Sequence, residues 1–123
     1  MQIEASYPGR LILRMSADEI GDFNNALNEV CNGIAVSNLD AALGISEEDA
    51  TGLLARVHSA KADGPVEFAL EELLAIRNAL TLVLAELDSR EFETRMGISI
   101  YRAKQMRDAL DSLTGSLRQS RTA

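Results

Sequence analysis

Residues 39–57, LDAALGISEEDATGLLARV, decide the fold. A short apolar helix runs into Leu43-Gly44-Ile45-Ser46, and a second helix starts from that serine. Gly44 can take the left-handed conformation that ends a helix. Ile45 then turns inward to plug the corner. Ser46 carries the hydroxyl that caps the next helix, and Glu47, Glu48 and Asp49 fill its first turn, where the helix dipole favours negative charge. Ala50 is small enough to let the two helices approach. Leu53, Leu54 and Val57 continue an apolar face at helical spacing. The same design returns at residues 92–110, FETRMGISIYRAKQMRDAL, where Gly97-Ile98-Ser99 matches Gly44-Ile45-Ser46 at an offset of 53 residues. There Ala103 is the small residue, and Met106, Leu110, Leu113 and Leu117 form the stripe.

Outward from the first corner, Ser16-Ala17-Asp18-Glu19 reads as a capping box, with a serine N-cap and a glutamate three residues on. It opens a helix to about Asn32, with Ile20, Phe23, Leu27, Val30, Cys31 and Ile34 as its buried stripe and Gly33 as its stop. Ser37 is positioned to cap the short helix at 38–43. Upstream, Tyr7-Pro8-Gly9 reads as a turn and Leu11 to Met15 as a strand. Downstream, the third helix runs to about Ala62, and Asp63-Gly64-Pro65 ends the unit. Val66-Glu67-Phe68-Ala69 alternates and occupies the place of the first strand. A long helix over 71–87 follows and is apolar on most sides (Leu73, Leu74, Ile76, Leu80, Leu82, Val83, Leu84, Leu87), which marks it as the central helix or as a subunit interface. Asp88 or Ser89 caps the next short helix, Ser99 caps the last, and the polar residues 118–123 form a flexible tail.

These readings add up to one mainly α (α+β) domain over residues 1–123. It contains two pseudo-repeated units, at about 10–63 and 64–117, each made of strand, long helix, short helix, corner and helix. One unit alone exposes an unpaired strand and an apolar helix face. Two units pair their strands as a two-stranded ribbon and pack their long helices, related by a pseudo-twofold axis or, alternatively, by a tandem translation.

The two corners resemble the helix-turn-helix superfamily, whose turn reads like leucine-glycine-isoleucine-serine with a small or branched residue four positions after the serine. The resemblance spans about 19 residues in each copy. It implies that a unit reading DNA does so with the helix after the corner. Only the second copy has suitable groups there: Arg102, Lys104, Gln105 and Arg107, which reach phosphates and base edges. The bland alternative for these charges is a solvated face with Arg107–Asp111 and Lys104–Asp108 pairs at helical spacing.

Charge argues for a different partner. The chain carries a net −7, unevenly placed. Residues 16–68 hold ten acids against Arg56 and Lys61, a net −8, whereas residues 1–15 carry +1 and residues 69–123 balance. Such a field opposes nucleic acid and favours a basic protein, and it makes Glu47, Glu48 and Asp49 the candidate acidic partner surface. A protein–protein interaction or regulatory module, in the manner of an immunity protein or antitoxin facing a basic toxin, fits this pattern. A homodimer through the apolar second long helix fits it as well.

Chemistry is sparse. One cysteine, Cys31, excludes an internal disulfide framework and suits a reducing cytoplasm. The lone histidine, His58, and the lone cysteine cannot fill a zinc site. No glycine-rich loop has phosphate-binding spacing, so neither cofactor, metal nor enzyme activity is expected. No signal peptide or membrane span is expected either. Three polar residues invite a structural role. Asn25 and Asn78 stand at equivalent mid-helix positions, unfavourable for asparagine, and are suited to hold the backbone of a neighbouring corner or strand, with a polar ligand or partner contact as the alternative. Arg95, just before the second corner, is suited to pair with a carboxylate from another helix.

Overall fold

A computed structural model of the chain describes residues 1–122, with side chains to Gln119. Strands β1 (Gln2–Tyr7) and β2 (Arg10–Arg14) form a hairpin, followed by helix α1 (Ala17–Asn28), which runs on into a π-helical turn at Glu29–Gly33. Helices α2 (Leu39–Leu43) and α3 (Glu47–His58) make the first corner. Strand β3 (Pro65–Ala69) leads into the long helix α4 (Leu70–Glu86), and α5 (Ser89–Met96) with α6 (Ile100–Thr122) makes the second. The described chain is mainly helical, with one small antiparallel sheet in the order β1-β2-β3.

Local chemistry accounts for the element boundaries. Ser16 Oγ accepts from the Glu19 N–H, and Glu19 Oε1 accepts in return from the Ser16 N–H, closing the capping box of α1. Ser46 accepts from the Asp49 N–H, Ser99 from the Arg102 N–H, and Asp88 from the N–H groups of Arg90 and Glu91. Both corners turn on a glycine in the left-handed region, Gly44 at φ +88° and Gly97 at φ +72°, each donating its N–H back to a carbonyl four residues earlier (Asp40 and Glu93).

The core lies between the sheet and the helices. Leu11 and Leu13 of β2 and Phe68 of β3 are buried in it, and Phe68 meets Phe23 of α1 edge-on at 5.9 Å between ring centres. The central element is α4, packed against α1, α2, α6 and β3. Its sequence explains this: Leu73, Ala75, Ile76, Ala79, Leu80 and Val83 point to several sides and all are buried, with Ala75 and Ala79 small enough for close helix approach. Leu74, Leu82 and Leu84, on its remaining sides, are partly buried.

Several expectations need correction. The sheet has three strands rather than two. Gln2–Tyr7 pairs with β2 through a two-residue Pro8-Gly9 loop, with Gly9 at φ +79°, as a type II turn requires. β1 is almost wholly exposed, so it has no apolar run of its own and takes its order from pairing with β2. Asn38, in the left-handed region at φ +53°, stands before α2 in place of Ser37. α3 stops at His58, four residues short of Ala62, and Ser59 forms its C-cap. α6 runs as helix through Thr122, and Ala123 lies outside the described residues.

Candidate functional site

One face of α1 and of the π-helical turn that continues it carries three polar residues, Asp22, Asn25 and Glu29, spaced three and four apart so that they line up. All three reach the second corner. Arg102, in the first turn of α6, donates from Nε and Nη2 to Asp22 Oδ2, at 3.1 and 2.9 Å. Asn25 Nδ2 donates to the carbonyl of Met96, the last residue of α5, at 3.1 Å. Arg95 donates from Nε to Glu29 Oε1 at 3.1 Å and from Nη2 to Glu29 Oε2, a two-pronged pair extended by Glu91 at 3.5 Å. Gly33 closes the π-helical turn directly against this pair. A Cβ there would overlap Glu29 Oε2 and stand 2.7 Å from an Arg95 nitrogen. The turn thus swings Glu29 inward, and the absence of a side chain at position 33 makes room for the guanidinium.

The first corner is held more simply. Asn78 Nδ2, on α4, donates to the carbonyl of Leu43 at 2.9 Å. Arg77 Nη1 donates to Asn78 Oδ1 while its Nε donates to Asp111 on α6, at 3.1 and 2.7 Å. Asn25 and Asn78 therefore make reciprocal bonds: each lies in the first long helix of one half and serves the corner carbonyl of the other. In each case the carbonyl belongs to a residue with no exposed surface, Met96 or Leu43, where water cannot supply the missing donor.

These contacts decide what is left over for a partner. Of the four candidate nucleic-acid contacts, Arg102 is held by Asp22, a carboxylate only 4% exposed. Burial pushes the Asp22 carboxyl above its ordinary range, Arg102 pulls it back in part, and Asp18 and Glu19 add to the upward push. Gln105 donates to the Tyr101 hydroxyl at 3.1 Å, Lys104 is exposed, and Arg107 is half-buried. Asp111 is taken by Arg77, so the expected Arg107–Asp111 pair gives way to a contact between α4 and α6. Three further arginines show the same habit. Arg10 pairs with Glu67, Arg14 with Glu4, and Arg56 with Glu72. Glu47, Glu48 and Asp49 stand exposed on the first turn of α3 with no ion-pair partner among the described residues. Beside them an open groove is lined by Ile45, Leu53 and Ala69, by Glu48, Asp49 and Glu71, and by the Arg56–Glu72 pair.

Other reactive groups are scattered. Cys31 sits half-buried in the π-helical turn, where burial and the nearby Glu47 push its thiol upward, away from the reactive thiolate. His58 is exposed in the last turn of α3, facing a shallow cleft against α1 that also holds Asn24. Asn24 Oδ1 is the one buried side-chain polar atom without a partner among the described residues. No group of three or more His, Cys, Asp or Glu among the described residues is arranged to hold a metal ion.

Asp22 and Glu29, the acids on either side of Asn25, were the part of this stripe missed from sequence. Its signal was present, as two acids and an amide on one helix face beside the apolar stripe, but the partners stand 66 to 80 residues away. No helix among the described residues is long and apolar enough to cross a membrane. Compared with protein families, with characterised proteins and with solved structures, the chain matches none.

Proposed function

We propose that this chain is a non-catalytic interaction module that presents an acidic surface, Glu47, Glu48 and Asp49 with the groove beside them, to a basic protein partner. The observation that carries this is the sorting of charge. Arg10, Arg14, Arg56, Arg77, Arg95 and Arg102 are spent on carboxylates within the fold, so the outward field is dominated by acids that have no internal cation. Charges arranged this way speed encounter and reject like-charged partners more than they add affinity. An immunity- or antitoxin-type inhibitor of a basic toxin, working in the cytoplasm, has this requirement. We read the scaffold as a duplicated unit, a reading supported by the shared order of strand, long helix, short helix, corner and helix and by the reciprocal asparagines. The test is fluorescence anisotropy of a labelled lysine-rich amphipathic peptide at low and moderate salt, with wild type and the Glu47→Gln/Glu48→Gln/Asp49→Asn variant. Salt-sensitive binding that the variant loses is expected. Equal binding by both proteins would sink the assignment of this surface.

A second reading, a DNA-binding regulator using α5 and α6, is favoured by one observation. Tyr101 is 71% exposed at the start of α6, with Lys104 and Gln105 beside it, a set able to stack on bases, neutralise phosphate and read adenine. Against it stand the net charge and the commitment of Arg102 to Asp22. Labelled duplex DNA in the same assay separates the two readings: binding lost on Lys104→Glu supports DNA, and no binding at low salt removes it.

A further inference from the structure

The two edges of the sheet are treated in opposite ways. On β3, outward-facing backbone groups are closed off one after another. Pro65 has no N–H to offer. The Glu67 carbonyl accepts from Arg56 Nη2 at 2.6 Å, and the Ala69 N–H donates to Glu72 Oε1 at 2.8 Å. These are the devices by which a sheet edge is withheld from other strands. On β1 they are nearly absent: among the described residues no group hydrogen-bonds its outer edge, and a single irregularity between Ile3 and Ala5 interrupts its pairing with β2. The alternation that turns Glu67 outward on β3 turns Ile3 and Ser6 outward on β1, because Leu11 and Leu13 face β3 while Arg10, Ile12 and Arg14 face β1. Of the three large apolar side chains exposed among the described residues, two are on this strand, Ile3 at 50% and Tyr7 at 41%.

We propose that β1 is a self-association edge: two copies of this chain join their β1 strands antiparallel, making one six-stranded sheet across a twofold axis. Charge selects the occupant. The one charged residue of β1, Glu4, is already paired with Arg14, and residues 1–15 carry a net +1 in a chain of −7. This edge therefore lies outside the acidic stretch 16–68, and two copies can meet along it without bringing that charge together. A basic foreign segment, by contrast, is drawn to the acidic surface formed by residues 16–68. An antiparallel edge is also self-complementary about a twofold, so no second sequence is needed. The guarded β3 edge sets the stoichiometry. Were it open, β1 of one copy would add to β3 of the next and the assembly would not close; with β3 blocked, association stops at two.

The test is light scattering coupled to gel filtration on the whole chain over a concentration series, with hydrogen exchange of the β1 amides at the same concentrations. A dimer is expected at high concentration, with the Ser6 amide exchanging at least tenfold more slowly than in the dilute monomer. Ile3→Lys places like charges on both copies and Ser6→Pro removes an outward donor, so each is expected to give a monomer with an unchanged circular dichroism spectrum. A wild type that stays monomeric throughout would overturn the proposal, as would a dimer whose β1 amides exchange as fast as in the monomer. Assemblies larger than two would overturn the role given to β3. The exchange measurement uses the unmodified protein, so it decides the matter even if a variant fails to fold.

Discussion

Replacing Asn78 by alanine removes the only side-chain donor to the Leu43 carbonyl among the described residues. That carbonyl ends α2 beneath Gly44, on a residue with no exposed surface. The bond is a neutral one of 2.9 Å, worth on the order of 1 kcal/mol net when present, but leaving a buried acceptor unsatisfied costs about 1–3 kcal/mol. A half-buried donor over a buried acceptor belongs near the middle of that range, at about 2 kcal/mol. With an unfolding entropy of roughly 2.1 cal/mol/K per residue, that loss lowers the Tm of a chain this size by about 8 °C. Asn25→Ala does the same to the Met96 carbonyl and is expected to cost a similar amount. Asp at either position is the sharper probe, since it keeps the size and the acceptor but loses the donor. A carboxylate facing a carbonyl is expected to be at least as damaging as alanine, most of all at position 25, between Asp22 and Glu29. Urea denaturation of the four variants, followed by circular dichroism with a common m-value, is the assay. If Asn78→Ala and Asn78→Asp both stay within about 0.5 kcal/mol of wild type, the usual range of an unimportant surface change, the corner carbonyls are satisfied some other way and the reasoning fails.

The two glycines Gly33 and Gly52 are expected to respond to alanine with opposite signs. Gly33→Ala overlaps the Glu29–Arg95 pair and is expected to destabilise by about 1–3 kcal/mol, whereas Gly52→Ala, with nothing within 4 Å on the exposed face of α3, gains roughly 0.5–1 kcal/mol. Combining Gly33→Ala with Glu29→Ala tests the cause: strictly additive losses would show that the carboxylate is not what the methyl group meets. Asp22 makes a prediction in pH. Its carboxyl is raised in the folded state, mainly by burial, so the folded chain binds the proton first, and stability falls as pH rises from the ordinary carboxylate pKa through the raised one. Glu19, pushed up by burial but brought below its ordinary range by the terminal amine and Ser16 together, has the opposite slope. The Asp22→Asn difference from wild type at each pH therefore isolates the Asp22 term, and a flat difference across the carboxylate range would contradict it. Leu80, fully buried on α4, is expected not to tolerate aspartate; a folded Leu80→Asp protein in thermal melts would remove α4 from the centre of the fold.

What the sequence made legible was local, and what it hid was long-range. Gly44 and Gly97 could be read because a left-handed helix end nearly demands glycine, and Ser16, Ser46 and Ser99 because capping is settled within four residues. The all-round apolar character of α4 led to its central place for the same reason: burial on many sides is written on the helix itself. β1 was missed because an exposed edge strand needs no apolar pattern, only a neighbour with free backbone groups. Arg102 and Arg107 were read from their own helix, which supplied an i,i+4 partner for Arg107 and none for Arg102. The actual choices were made by Asp22, on α1, and by Arg77, which took Asp111 first. The asparagines stood between these cases. Their equivalence was visible, and a backbone acceptor could be guessed. That each serves the opposite half required the packing of α1 and α4.

The three residues that tie α1 and its π-helical turn to the second corner also have a consequence in time. Asp22, Asn25 and Glu29 find their partners at positions 102, 96 and 95. A ribosome adding about 5–20 residues per second takes on the order of 3–16 s to cover that separation. During that interval α1 exists with two carboxylates and an amide on a face that later closes, and with no guanidinium yet made to meet them. The same charges that hold the finished corner keep the unfinished helix wet. The N-terminal half is thus discouraged from settling into a dry but wrong packing before its ligands arrive.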